Sequence, residues 1–353
     1  MRLVYARGVT FVPPPSLCDV RPTADRTRLL RDLVPPRHFA DASFASYRPD
    51  PAHPSQQRAV ERLAEVADML VAPARGFGAL LRRRRGSVPA VYLDGGFGVG
   101  KTHLLASLAH ALGPERAAFG TFVEYTNLVG ALGFAPTVEA LGDKDLVCID
   151  EFELDDPGDT VLMSRLLREL TDRDVAIAAT SNTLPGSLGE GRFAAEDFLR
   201  EIQALAARFE VLRVDGEDYR HRAVVTAAQP LPDAELVESA EHRAGATLDF
   251  FDDLLAHLAQ VHPSRYGAML DGVSLVALRG VRTIESQAEA LRFVVLVDRL
   301  YDRDVPVLLG GSGETALFPP AMLTGGYRKK YLRALSRLGA LAEEGRTLVS
   351  ASS

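Results

Sequence analysis

With 353 residues, an ordinary apolar fraction and two widely spaced cysteines (Cys18 and Cys148), the chain is long enough for about two domains and has neither a disulfide framework nor a cysteine metal spacing. Its 47 Asp and Glu against 40 Lys and Arg leave a net charge of −7, which argues against nucleic acid as a partner and against more than a peripheral membrane contact. No window holds the ~20 apolar residues of a membrane span, residues 1–15 lack a secretory-signal pattern, and a reducing cytoplasm is the expected setting.

Residues 1–45 are rich in Pro and Arg. Pro13-Pro14-Pro15 and Pro35-Pro36 break any long element, so the stretch reads as an extended N-terminal arm. After the turn cluster Tyr47-Arg48-Pro49-Asp50-Pro51, Ser55 is placed to cap a helix over 56–70, with Val60, Leu63, Val66 and Leu70 on one face. Arg82-Arg83-Arg84-Arg85 reads as a solvated loop. The sharper alternative is a contact for an acidic partner, RNA or a membrane surface.

Residues 88–93 read as a short buried strand, and 103–112 as a helix that Gly113-Pro114 stops. Between them, Gly95-Gly96-Phe97-Gly98-Val99-Gly100-Lys101-Thr102 matches G-x-x-x-x-G-K-[ST], the phosphate-binding P-loop. A strand, a glycine turn and a helix start are what phosphate capture requires. The glycines admit backbone N–H groups close to phosphate oxygens, and the helix N-terminus adds the positive end of its dipole. Lys101 can reach the β- and γ-phosphates of ATP, and the Thr102 hydroxyl can bind Mg²⁺. The predicted nucleotide contacts are these eight residues and His103.

Residues 119–124 read as a second strand and 145–150 as a third, closed by Asp150-Glu151. Ligands bind at strand carboxyl ends in open α/β sheets, so an acidic pair here, downstream of a P-loop, reads as Walker B. Asp150 then holds Mg²⁺ directly or through water, and Glu151 accepts a proton from the attacking water or orients it. A helix over 160–170 leads to a fourth strand at 175–180. Its polar end, Thr180-Ser181-Asn182, puts Asn182 in the sensor 1 role, positioning the water. Arg192, Arg200 and Arg208 lie where an arginine finger from a neighbouring subunit belongs, and Arg337 on the last helix is a candidate within the subunit. A fifth strand follows at 211–214. Short apolar runs alternating with helices specify an α/β fold: a P-loop NTPase, AAA+-like, with a parallel sheet covered by helices on both faces and a further C-terminal α/β region.

The last third echoes the core. Residues 167–175 resemble 297–305: each is a helix end, an acidic-basic turn and a buried strand. A strand–helix–strand unit without catalytic chemistry is expected there, and real duplication and coincidence stay equally open. Residues 327–344 read as a basic helix. The predicted division is 1–45 for the arm, 46–225 for the ATPase core and 226–353 for the C-terminal α/β and helical region.

Several stretches resemble the ZapE family of bacterial cell-division ATPases, which is related to a mitochondrial AAA+ family. They are Tyr47-Arg48-Pro49-Asp50-Pro51, the 92–102 loop, Cys148-Ile149-Asp150-Glu151-Phe152, Ala179-Thr180-Ser181-Asn182, Asp215-Gly216-Glu217-Asp218-Tyr219-Arg220, Leu291-Arg292-Phe293 and Ser336-Arg337-Leu338. The resemblance runs from about residue 44 to 340. It implies an ATPase that acts on the tubulin-like FtsZ polymer, and the ring-forming class it belongs to implies a homo-oligomer. Two other readings compete. One is a nucleic-acid-associated ATPase of the initiator or helicase-loader kind, supported by Arg82–Arg85 and Arg328-Lys329-Lys330 alone. The other is a nucleotide-gated scaffold, against which the intact Glu151 argues.

Overall fold

Apolar runs too short for helices, each separated from the next by a helical segment, favour crossovers into a parallel sheet. The computed structural model describes residues 14–23, 26–72, 88–96, 98–152, 157–183, 206–217, 229–314 and 316–350. The chain divides into two units, Ala24–Ala223 and a second made of Met1–Thr23 with Val224–Ser353.

The first unit holds strands β1 (Ala90–Asp94), β2 (Ala117–Thr121), β3 (Leu146–Asp150), β4 (Ala176–Ser181) and β5 (Glu210–Arg213). They are all parallel, in the order β2-β3-β4-β1-β5. Its helices are α1 (Arg26–Arg31), α2 (Pro54–Val71), α3 (Lys101–Leu112), α4 (Phe122–Leu132), α5 (Phe134–Gly142) and α6 (Pro157–Thr171). Strand alternation sends Val91, Leu93, Cys148 and Ala178 to one face, against Leu63 and Val66 of α2 and Leu104 and Leu108 of α3. It sends Tyr92, Val147, Ile149 and Ile177 to the other, against Phe122 and Tyr125 of α4 and Leu166 and Leu170 of α6. The sheet is therefore covered on both faces, as the alternation of runs predicts.

Three local expectations give way to different structure. The 119–124 run is a strand only as far as Thr121, and Phe122 opens α4. A capping box decides it: the Thr121 hydroxyl accepts from Glu124 N at 3.3 Å, and the Glu124 carboxylate accepts from Thr121 N at 2.7 Å. Ser55 does not cap α2. His53 occupies that position with Pro54 in the first turn, and buried Ser55 accepts a hydrogen bond from Asp215 N at 3.0 Å instead. Residues 14–45 are not extended throughout. Helical turns at Leu17–Asp19 and Arg37–Phe39 flank α1, because paired prolines stop long helices and leave single turns free to form. Leu33 from this stretch is buried, and its carbonyl accepts from Phe119 N at 2.9 Å beside β2.

The second unit holds α7 (Asp233–Glu241), β6 (Ala246–Phe250), α8 (Phe251–Gln260), β7 (Leu275–Arg279), α9 (Gln287–Asp302), β8 (Val307–Leu309) and α10 (Arg328–Ser350). Its strands are parallel in the order β6-β7-β8, so the expected strand–helix–strand unit is present as β7-α9-β8, with β6 added. Leu248 N donates to Pro15 O at 3.0 Å, and Asp249 accepts from the Ser16 hydroxyl, so residues 15–19 line the β6 edge.

The sequence echo has a structural cause. Both helices end on an aspartate of left-handed backbone, with φ 64° at Asp174 and 52° at Asp304. Val175 N donates to Leu170 O, and Val305 N to Leu300 O, both at 3.0 Å; Asp174 N and Asp304 N close the inner turn on Thr171 O and Tyr301 O. That is the Schellman helix stop, met twice. A shared helix stop accounts for the similarity whether or not the unit was duplicated. Glycine occupies this conformation without strain, so Asp174→Gly is expected to stabilise the first unit by about 0.5–1 kcal/mol. A denaturant midpoint that stays the same or falls would count against it.

Candidate active site

The sheet order places the carboxyl ends of β3, β4 and β1 side by side, so the loop after Asp94, the pair Asp150-Glu151 and Asn182 emerge along one edge. Close packing fixes two glycines of the 95–102 loop. A Cβ on Gly95 would lie 2.2 Å from the Val214 carbonyl oxygen. Gly100, with φ 85°, starts α3, and a Cβ there would lie 2.6 Å from the Tyr47 ring. The Tyr47 hydroxyl donates to Val99 O at 2.8 Å, so this aromatic ring pins the loop from outside. His103 faces the same strap: its Nε2 lies 3.0 Å from Ser46 Oγ and 3.2 Å from Ser43 O, and its ring meets that of Tyr47 edge-on at 5.6 Å.

Lys101 is buried, with 8% exposure. Its Nζ donates to Gly95 O at 2.9 Å, Gly96 O at 2.6 Å and Asn182 Oδ1 at 2.9 Å. The ammonium therefore ties both ends of the glycine turn to the end of β4. The residues on either side of Asn182 are fixed as well: Ser181 Oγ accepts from Thr183 N at 3.0 Å, and the Tyr92 hydroxyl donates to Thr183 O at 2.7 Å.

Thr102 Oγ1 donates to Asp150, 3.1 Å from Oδ2 and 3.2 Å from Oδ1. A hydroxyl beside a carboxylate is the hard-oxygen set that a small divalent cation takes when phosphates and water complete its shell. Among the described residues no group of three or more His, Cys, Asp or Glu could hold a metal on its own. Glu151 adopts φ 53°, a left-handed conformation that costs a non-glycine residue on the order of 1–3 kcal/mol. Next to it, Phe152 is fully buried against Tyr92, Phe122 and Phe209 at ring separations of 5.3–6.3 Å.

Sequence reasoning missed the residues that brace these groups. Gln56, buried in the first turn of α2, donates to Asp215 O at 2.7 Å and accepts from Asp50 N at 2.8 Å. Arg213 pairs with buried Asp94 and, at 2.8 Å, with Asp215, whose carboxyl this guanidinium holds below the usual aspartate range. Thr180 bonds to Asp150 and to the backbone after it. Its place at the polar end of an apolar run was the available signal for Thr180. Gln56 and Arg213 gave none, because the partners that tie them to the site, Asp215 for Gln56 and Asp94 for Arg213, are distant in sequence. Cys148 is a fully buried core residue: burial first, then the nearby Asp150 carboxylate, push its thiol far above the ordinary range.

The arginine-finger candidates separate. Arg208 donates to Thr171 Oγ1 at 2.6 Å at the end of α6. Arg337 in the second unit lies over the Tyr301 ring at 5.0 Å and, with Arg333, pairs with Asp298 of α9. Burial alone would raise the Asp298 carboxyl, and the two arginines more than offset it, holding it below the ordinary range. Phe97, Arg192, Arg200 and Arg82–Arg85 lie outside the described residues.

The sequence profile of a family described as AFG1-like ATPase matches residues 23–239 and 230–347. Cell division protein ZapE of Escherichia coli K12 is 27% identical over 373 aligned residues, covering 89% of this chain and 97% of that protein. An uncharacterized protein of Schizosaccharomyces pombe is 29% identical over 152 aligned residues, covering 38% of this chain and 34% of that protein. Among solved structures, domain III of the Thermotoga maritima replication initiation protein DnaA aligns with 72% of this chain and 80% of its own at 17% identity and a TM-score of 0.38.

Proposed function

The chain belongs to the AFG1-like ATPase family and is an ATPase, and from there we propose that it hydrolyses ATP in a Mg²⁺-dependent reaction at the 95–102 loop and uses the cycle to remodel a protein partner. One observation carries the reading. Hydrogen bonds of 2.9–3.2 Å pair Lys101 with Asn182 and the adjacent Thr102 with Asp150, so one helix start meets the ends of β4 and β3. Elsewhere in a protein such a cluster needs a reason. Here triphosphate chemistry supplies it.

In this mechanism the loop amides and the α3 N-terminus receive the phosphates, and the Lys101 ammonium turns toward the β- and γ-oxygens. Thr102 and Asp150 are the residues that hold Mg²⁺. When bound, the ion offsets the negative charge of the phosphates. Asn182 fixes the attacking water. Glu151 takes its proton as the oxygen bonds to the γ-phosphorus and ADP departs. The arginine that meets the γ-phosphate is Arg192, Arg200, Arg208 or Arg337, and the first three suit supply from a neighbouring subunit of a ring. Residues 46–225 carry this core, and 226–353 the C-terminal α/β and helical region.

The relative named for cell division supports placing the partner there, and an FtsZ-like polymer is the partner we propose. A cytoplasmic setting goes with it. Among the described residues no helix is long and apolar enough to cross a membrane. The test is phosphate release by the purified chain with and without Mg²⁺ and with and without assembled FtsZ, together with light scattering to size the nucleotide-bound oligomer. Mg²⁺-dependent release that the polymer stimulates is the expected result. Release that ignores the polymer removes the partner, and no release under any condition removes the mechanism.

A further inference from the structure

The β3–β4 ladder stops one step short of the acidic pair. Its last partners are Ile149 and Ala179, so the next position would set Asp150 against Thr180. In place of the ladder, Thr180 grips three consecutive residues. Its hydroxyl donates to Asp150 Oδ1 at 2.5 Å and accepts from Glu151 N at 3.1 Å, while its carbonyl accepts from Phe152 N at 2.7 Å. Thr180 is 2% exposed. Water therefore has little access to replace these bonds.

The three bonds do different work. The first holds one Asp150 oxygen, while Thr102 lies within hydrogen-bond distance of both oxygens of the carboxylate. The second satisfies an amide that a left-handed residue would otherwise leave out of the sheet. The third, with the burial of Phe152 among aromatic rings, fixes the chain beyond the bend. The Glu151 backbone is thus clamped on both sides in a conformation that a side chain disfavours.

We infer that Thr180 is a positioning residue for the hydrolysis proposed above, its hydroxyl setting the Asp150 carboxylate and the left-handed backbone of Glu151 at once. The inference rests on that reading of the site and names a residue it does not use. A valine of equal shape removes both side-chain bonds, a serine keeps both, and an alanine tests the role without added bulk.

The experiment compares the full-length parent, Thr180→Val, Thr180→Ala, Thr180→Ser and Glu151→Gln for phosphate release and for ATP affinity by titration. Misplacing a reacting group by ~1 Å can cost about 10²-fold in rate, so Val and Ala are expected to lower kcat by about that factor. Their ATP affinity should stay within about threefold of the parent, as an interaction lost from catalysis alone predicts. Serine should restore turnover to within about threefold, a rescue that methyl packing alone would not give. If Val or Ala turns over at the parental rate, or if Ser is as slow as Ala, the role falls. If Glu151→Gln itself runs at the parental rate, the hydrolytic reading of the site falls instead, so the two failures are distinguishable.

Discussion

Lys101→Ala is expected to lower ATP affinity by at least about 10²-fold. The side chain carries an ammonium that joins the glycine turn to the end of β4, through Gly95 O, Gly96 O and Asn182 Oδ1. In the mechanism proposed above, alanine removes the buried charge that would face the phosphates, and hydrogen bonds to ionised groups are worth about 1.5–3 kcal/mol each. Two such bonds lost to the phosphates amount to about 3–6 kcal/mol, or roughly 10²–10⁴-fold. It also leaves three oxygens without their donor, so the loop itself loosens. Arginine should not rescue: its planar fork does not fit where a compact ammonium sits among three closely placed acceptors. Titration with ATP or a non-hydrolysed analogue decides the matter. Affinity within about threefold of the parent would mean that Lys101 stabilises the loop and nothing more.

The parts of this site that sequence revealed are those written in contiguous residues. The 95–102 loop needs its glycines, lysine and threonine in one order, and Asp150-Glu151 needs only an apolar strand before it. Both emerge along the same sheet edge in the structure. What stayed hidden depends on folding. Tyr47 meets Val99 and Gly100 across some fifty residues, and Gln56 meets Asp215 across more than 150. No periodicity encodes such contacts. The 119–124 run shows a different limit. Its Phe-Val pair has strand propensity, yet Thr121 and Glu124 close a capping box and tertiary packing buries Phe122 on a helix. The T-x-x-E spacing is the legible signal there, in a run whose hydrophobicity favours a strand. In the last third, the turn at Asp304 was visible as an echo, whereas β6 was not, because Thr247 and Asp249 interrupt its apolar pattern. Asp249 is buried all the same, with the Ser16 hydroxyl donating to it from an N-terminal segment that joins the second unit.

Glu151→Gln separates binding from chemistry. Glutamine keeps the volume of the side chain and leaves Lys101, Thr102 and Asp150 untouched, so ATP should bind within about threefold of the parental affinity. A carboxamide cannot take the proton of the attacking water, and general-base catalysis is typically worth about 10²–10⁴-fold, so kcat should fall by that range. Turnover at the parental rate would mean that Glu151 does not take the proton of the attacking water. A companion change shows why a glutamate tolerates φ 53° at all. Glu151→Gly suits a left-handed backbone and should raise the stability of the first unit by about 0.5–1 kcal/mol, yet it should hydrolyse no faster than the glutamine variant. A more stable, inactive glycine variant would identify the strain as a cost borne for the position of one carboxylate. A glycine variant that still turns over would place the base elsewhere, and the left-handed turn would then belong to the packing of Phe152 alone.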